Sequence, residues 1–210
     1  MPLDLEEQEH VDELKAWWSR YGTLVVSLAA AVAIGATGWV LWRNYQAGEA
    51  AKASAIYDNL AKAAQAGDAK ALRDSGGALT EGFPRTLYAS MGALVSARFY
   101  FDRNDLKGAK AQLQWVIDRS PSDDLRELAR LRLGGILLDE KAHDEALKIA
   151  DTAHAAAYDA QYAALKGDVL VAKGQAAEAK AAYKLALDKA GKESAAFRES
   201  VRMRLEALGG

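Results

Sequence analysis

The hydrophobic positions of this chain concentrate in one uninterrupted stretch near its start. Residues 23–42 contain no charged side chain, and Arg20 and Arg43 flank them. A helix of this length rises about 30 Å, which matches the hydrocarbon core of a bilayer. Because backbone polar groups cannot go unpaired in lipid, the pattern predicts a transmembrane helix over residues 23–42. Aromatic residues lie at both ends, as in an interfacial belt: Trp17, Trp18, Tyr21, Trp39, Trp42 and Tyr45.

Two other interpretations of this stretch fit the sequence less well. A buried core helix needs apolar surroundings, and the chain after residue 50 is too alanine-rich and polar to supply them. A cleaved signal peptide has a basic start, a short apolar run and a small-residue cleavage site. Here the preceding residues are acidic, the run is long, and Trp42, Arg43, Asn44 and Tyr45 follow. We therefore expect an anchor that is retained.

Small residues recur along one side of the apolar stretch. Ser27, Ala31 and Gly35 are four residues apart, and Gly38 continues the same side. Small residues at this spacing let another helix approach closely in lipid. These four residues are therefore candidate helix–helix contacts, although alanine-rich anchors also carry such ladders by chance.

Residues 1–22 form a short acidic segment with a net charge of −4. Apolar residues at helical spacing predict that it extends the membrane helix outward: Val11, Leu14, Trp18 and Tyr21. The segment is either a solvated lead-in or an acidic docking face. The whole chain carries −2, so the remainder balances at +2. This charge gives no reason to expect a nucleic-acid partner.

After Arg43 the pattern becomes helical and alanine-rich. Residues 46–66 predict one helix, and Gly67 and Asp68 predict its end and the start of a short second helix that stops at residues 75–77. Pro84 suits the first turn of the next helix. Residues 194–208 predict a final helix whose single apolar stripe suits the cap of a solenoid: Phe197, Val201, Leu205 and Leu208.

A repeat occupies the region before this final helix. Ala109, Ala146 and Ala179 are separated by 37 and 33 residues. Twelve positions before each of them comes another small residue: Ala97, Gly134 and Gly167. A period near 34, with small residues where two helices touch, is the tetratricopeptide spacing. The sequence therefore predicts an all-α protein, with a transmembrane helix followed by a tetratricopeptide-like solenoid over residues 43–210 and a C-terminal capping helix.

The first helix of each pair in such a solenoid lines a concave surface that can bind a chain or a protein. We expect only part of this surface to be accessible, because solenoid helices also pack into the core. The repeat register assigns to it Met91, Leu94, Arg98 and Phe101 from the first pair, Leu131, Gly135 and Leu138 from the second, and Gln161, Ala164, Asp168 and Val171 from the third.

Candidate chemistry changes this interpretation little. The chain has no cysteine, which excludes disulfides, thiol catalysis and cysteine-based zinc sites. The densest set of possible metal ligands, at residues 139–145, falls between the two helices of a repeat, where polar turn residues are expected. His154 is expected on the surface near the end of the next helix. Since no phosphate loop or activated nucleophile stands out, we expect no enzyme, no metal and no cofactor.

The layout resembles the YfgM family, the ancillary subunits of the bacterial SecYEG translocon. The resemblance covers essentially the whole chain: an acidic start ending in Lys-x-Trp-Trp, one membrane helix ending in Gly-Trp-x-x-Trp-Arg, and degenerate alanine-rich repeats. The residues that carry it are Lys15, Trp17, Trp18, Gly38, Trp39, Trp42 and Arg43, with a further match over residues 86–98.

The resemblance implies a single-pass inner-membrane protein with a cytoplasmic N-terminal segment and a periplasmic repeat domain. It also implies association with the SecYEG translocon and with a membrane-anchored periplasmic chaperone of the prolyl-isomerase type, to assist the handling of translocated proteins. The flanking positive charges are level, with Lys15 and Arg20 before the span and Arg43 and Lys52 after it, so they do not fix the orientation. A cytoplasm-facing adaptor and an envelope scaffold for peptidoglycan-related machinery remain alternatives.

Overall fold

The computed structural model describes residues 5–209, with side chains for residues 13–191 and 193–209. Within residues 5–209 there are α-helices and two short 3-10 helices but no strand, which confirms the all-α class. The α-helices are α1 (Leu5–Ala66), α2 (Ala69–Gly82), α3 (Leu87–Phe101), α4 (Leu106–Arg119), α5 (Asp123–Asp139), α6 (His143–Ala150), α7 (Asp159–Ala172), α8 (Ala176–Lys189) and α9 (Ala195–Ala207).

The two helices predicted over residues 23–42 and 46–66 are one continuous helix, α1. Only Gly48 weakens helix formation at the junction, and one glycine costs about 1 kcal/mol among the helix-forming residues around it. The predicted outward extension of the membrane helix is confirmed from Leu5 onward, while the side chain of Val11 lies outside the described residues. The chain forms two compact units, one that ends at Glu49 and one that begins at Ala50.

The first unit carries the candidate membrane span. An 18-residue window of α1 has a mean hydropathy of 2.1, and 0% of it is buried. Large apolar side chains such as Leu28 and Ile34 are exposed. A helix that is apolar all round and exposed belongs in lipid and not in water. The rings of Trp39 and Trp42 lie 5.7 Å apart near its second end.

The second unit begins with the last turns of α1, packed against α2 and α3. The turn between α1 and α2 is as predicted, because Gly67 has a φ of 74° and Asp68 caps α2 by accepting from the Lys70 and Ala71 amides. A φ in this range favours glycine. Leu60 and Leu72 are fully buried in the core that the three helices share.

The predicted end of α2 at residues 75–77 is wrong, since the helix continues to Gly82. Gly76 is buried, and a Cβ there would lie 3.4 Å from the Ser96 hydroxyl oxygen. Leu72 and Leu79, on the same side of the helix, are both fully buried. Burial of these leucines contributes about 1.5–3 kcal/mol each, which outweighs the helix-weakening effect of the glycines.

The prediction that Pro84 lies in the first turn of α3 is wrong. Pro84 lies in the turn before this helix. Thr86 is the N-cap of α3, and its hydroxyl oxygen accepts a hydrogen bond from the Ala89 amide at 3.3 Å. Threonine is a favoured N-cap because its oxygen satisfies a free amide of the first turn. The helix therefore starts three residues after the proline.

The helix pairs α3–α4, α5–α6 and α7–α8 follow the predicted register. Ala109, Ala146 and Ala179 are each fully buried where the second helix of a pair meets its neighbours. A Cβ on Gly134 would lie 2.5 Å from Leu165 and 3.1 Å from Ile149, and a Cβ on Gly167 would overlap the Tyr183 ring. These clashes confirm close helix contacts at the predicted small positions.

The solenoid ends with α9, which begins after the N-cap Ser194 and packs its apolar stripe on the third pair. Val201 is buried, and Phe197, Leu205 and Leu208 cover the same cluster. The predicted capping helix is therefore present. The second pair is less regular, because α6 has only 8 residues and a loop with a 3-10 helix at Ala156–Tyr158 leads to α7.

Candidate interaction surface

One concave surface of the second unit lies between α1, α3 and α5. Two cavities of about 570 and 220 Å³ open there, and the side chains of Arg98 and Arg132 line both. We call this surface the open groove. Its lining also includes Tyr57, Met91, Leu94, Val95, Phe101, Asp102, Gly135 and Asp139.

Several residues that the register assigned to the concave surface meet in the open groove. Met91, Leu94 and Arg98 line its larger cavity, and Arg98, Phe101 and Gly135 line the smaller one. Met91 and Phe101 are 38% and 36% exposed, whereas Leu94 is buried and mainly supports the wall.

Arg132 is a lining residue that the register did not assign. It lies three residues before Gly135 and seven before Asp139, which is the spacing of one helix face and could have indicated it. Partial burial and the charge of Arg98 lower the pKa of Arg132 from its ordinary value. Two positively charged side chains therefore line the same groove.

The other two arginines of the groove, Arg98 and Arg103, already have interaction partners within the protein. The Arg98 guanidinium pairs with Asp102 at 2.8 Å. Arg103 lies 3.5 Å above the Phe99 ring and donates to the Gly67 carbonyl oxygen at 3.2 Å, which ties the α1–α2 turn to the end of α3. Arg132 forms no ion pair with any of the described side chains.

The third pair differs from this arrangement. The Asp168 carboxylate accepts from the Tyr183 hydroxyl at 2.7 Å and from Arg204 of α9 at 2.8 Å. Burial raises the pKa of Asp168, while the hydrogen bond from Tyr183 and the charge of Arg204 oppose that rise. The register assigns Asp168 to the concave surface, but its side chain joins α7, α8 and α9. The cation that it binds belongs to the capping helix, which lies outside the repeat register.

The other residues that the register assigned to the concave surface, in the second and third pairs, differ in how deeply they are buried. The Gln161 amide donates to Glu193 at 2.5 Å, beside the start of α9, and Ala164 is buried. Val171 is 41% exposed. Leu131 and Leu138 are half-buried against the central core.

A buried polar contact between the second and third pairs was not predicted. The Tyr162 hydroxyl donates to Glu127 at 2.5 Å, and Arg130 also donates to this buried carboxylate at 2.5 Å. His154 stacks on the Tyr162 ring at 3.9 Å. The expectation of a surface histidine near a helix end is wrong, because α6 stops at Ala150 and His154 is half-buried in the following loop.

The turn at residues 139–145 connects repeats. Glu140 pairs with Lys110 at 2.5 Å, and Asp144 pairs with Lys173 at 2.6 Å. No group of three or more possible metal ligands occurs among the residues the structure describes.

The small-residue ladder of the apolar stretch is exposed. Ser27, Ala31, Gly35 and Gly38 all have accessible surfaces, and a Cβ on either glycine would meet nothing within 4 Å. This face has room for another helix, and its role as a contact stays a prediction.

Successive helix pairs with small residues at each close contact define a tetratricopeptide-repeat-like protein. The family model "Tetratricopeptide repeat-like domain" matches residues 15–210, so the chain belongs to that class.

Three curated relatives share the name "Ancillary SecYEG translocon subunit". The protein from Neisseria gonorrhoeae is 30% identical over 209 residues, which cover 99% of this chain and 100% of the relative. The Haemophilus influenzae protein is 30% identical over 89% of this chain and 91% of its own length, and the Escherichia coli protein is 27% identical over 87% and 88%. The chain belongs to this family, which confirms the resemblance found in the sequence. No solved structure matches it significantly.

Proposed function

We propose that this chain is a single-pass inner-membrane protein whose repeat domain binds other proteins beside the SecYEG translocon. The observation that carries this proposal is similarity over the full length to relatives named as ancillary translocon subunits. An exposed apolar helix followed by a repeat domain fits the same role.

The proposed topology places residues 1–22 in the cytoplasm, residues 23–42 in the membrane and the repeat domain in the periplasm. Long domains translocate largely regardless of flanking charge, so the level positive charges permit this arrangement. A periplasmic domain could also meet a membrane-anchored chaperone of the prolyl-isomerase type and assist translocated proteins there. An anchor raises the effective concentration of the domain beside such partners without adding a contact.

The proposed role is that of a scaffold without catalytic activity. The polar contacts around Asp168 join the third pair to the capping helix, and those around Glu127 join the second pair to the third. A protein of this kind acts by holding partners together, which suits the large helical surface of a solenoid.

We also propose that the small-residue face of the anchor packs against a partner helix. In lipid, helix association is driven by close packing, so large side chains on this face would keep the backbones apart. The changes Ala31→Leu and Gly35→Leu together keep the segment apolar, and insertion should survive.

Two measurements test the proposal. An alkaline phosphatase fused after Gly210 should be active and one fused before residue 23 inactive. The reverse pattern would make the chain a cytoplasm-facing adaptor.

SecYEG should copurify with the tagged chain from mild detergent. The double change Ala31→Leu and Gly35→Leu should lower the amount of SecYEG that copurifies. Val25→Leu with Val32→Leu is the matched control. Equal amounts of copurified SecYEG for the two double variants would mean that the anchor serves only as a tether.

A further inference from the structure

We propose that the open groove binds an apolar polypeptide segment that presents a side-chain carboxylate to Arg98 and Arg132. This inference rests on the proposed function, because it names the chemistry that the binding surface would recognise. It concerns the first half of the solenoid, between α1, α3 and α5.

The charge distribution in the groove is the first argument. Its larger cavity is lined by Arg98, Arg103 and Arg132 but by only one carboxylate, that of Asp102. Asp102 pairs with Arg98, and Arg103 is held by Gly67 and Phe99. Arg132 therefore keeps the donors of its planar guanidinium available, and these match a carboxylate in a bidentate geometry.

An incoming carboxylate would also reduce an unfavourable interaction that the groove contains. Partial burial and the like charge of Arg98 lower the pKa of Arg132. A negative group between the two guanidinium groups interacts favourably with both. Two arginines that share one concave wall thus form a complementary site for an anionic side chain.

The apolar lining is the second argument. Tyr57, Leu94 and Val95 form part of the wall, and the Met91 side chain remains 38% exposed beside them. Methionine adapts its shape to different apolar partners. A cavity of about 570 Å³ falls within the range of about 300–1,000 Å³ that is typical of binding clefts.

The remaining carboxylates favour a polypeptide over the phosphate of an anionic lipid. Asp102 and Asp139 lie along the same groove as the two arginines. A phosphate group offers these carboxylates no donor, whereas the backbone amides of an extended segment can donate hydrogen bonds to them. A lining that mixes apolar side chains with both signs of charge therefore fits a protein chain.

The test uses the full chain in nanodiscs of zwitterionic lipid and a fluorescein-labelled, C-terminally amidated peptide. The peptide alternates leucine and phenylalanine with two aspartates, and its isosteric partner carries asparagines in their place. Fluorescence anisotropy should show that the aspartate peptide binds about tenfold more tightly than the asparagine peptide. Arg132→Gln should remove this difference, while Arg119→Gln, at an exposed position on α4, should preserve it.

Thermal unfolding of each variant shows whether the fold is retained, and Arg98→Gln is a second variant for the same site. Equal binding of the two peptides, no binding of either, or equal losses in Arg132→Gln and Arg119→Gln would overturn the proposal. Displacement of the peptide by phosphatidylglycerol vesicles, lost in Arg132→Gln, would overturn it in favour of a lipid site. Because SecYEG is absent from this assay, capture of SecYEG by the unaltered chain is a separate result that tests the proposed function alone.

Discussion

Arg98 and Asp168 occupy the same register position in the first and third helix pairs, but their surroundings differ. The side chain of Arg98 is 74% exposed and its pairing with Asp102 stays within one helix. The side chain of Asp168 is 27% exposed, and it joins three helices through Tyr183 and Arg204. The first position remains open toward the groove, whereas at the third position the capping helix engages the side chain through Arg204.

A repeat register predicts where a side chain lies but not what covers it. Solenoid repeats contact mainly their neighbours, and a terminal repeat needs a cap with a polar outer face. The cap engages Asp168 of the pair beside it through Arg204. Binding chemistry should therefore concentrate at the other end of the concave surface, where the open groove lies.

The largest change in the free energy of unfolding is expected for Gly167→Ala, which disturbs the packing of the third pair. Its new Cβ would overlap the Tyr183 ring, so overpacking should lower the free energy of unfolding by up to about 3 kcal/mol. The matched control is Gly135→Ala, because a Cβ there meets nothing within 4 Å. Urea unfolding of the detergent-solubilised chain measures both. A Gly167→Ala midpoint equal to that of the control would contradict the close contact.

A smaller effect is expected for Arg204→Gln, which removes the cation from Asp168. Because the Arg204 side chain is 44% exposed, screening by solvent should limit the loss at neutral pH to about 1 kcal/mol. Arg202→Gln, which removes an exposed pair with Glu199, is the control and should change the free energy of unfolding by less than about 0.5 kcal/mol.

The pH dependence of the Arg204→Gln effect gives a sharper test. Burial raises the folded-state pKa of Asp168 above its ordinary value of 3.8, so stability from this group is present below that value and falls as the pH rises through the folded pKa. Removal of Arg204 raises the pKa further. The difference between variant and unaltered chain should therefore be largest at neutral pH and vanish in acid. A difference independent of pH would show that Asp168 is not the group involved.

The smallest effect on stability is expected for Arg98→Gln. Its pair with Asp102 is exposed and lies within one helix, so the free energy of unfolding should change by less than about 0.5 kcal/mol. Urea unfolding alongside Arg204→Gln measures the contrast between the two ends of the register directly. A loss for Arg98→Gln as large as that for Arg204→Gln would mean that the first pair is not the more open one.

The sequence predicted the helix pairs well because their determinants are local. The small residues at Ala109, Ala146 and Ala179 are all fully buried, and the turn at Gly67 and Asp68 follows from its backbone and capping chemistry. Periodicity and turn residues carry this information without knowledge of distant contacts.

The errors have non-local causes. The helix α2 passes through two glycines because Leu72 and Leu79 are buried against other helices, and Asp168 is covered by a residue 36 positions further along the chain. Arg132 was missed for a different reason, since helical spacing from Gly135 could have indicated it. Membrane contacts of the anchor and the residue boundaries of the domains stay predictions.

We expect the open groove, and not the capped third pair, to contact protein partners at the membrane. Phe101 and Val171 are equivalent in the register and similarly exposed, at 36% and 41%, so they form a matched pair. A photoreactive benzophenone amino acid in place of each, activated in intact membranes, reports on neighbours at both positions by mass spectrometry. We expect crosslinks to SecYEG subunits or translocating polypeptides from position 101 and few from position 171. Equal crosslinking, or crosslinks mainly from position 171, would contradict it.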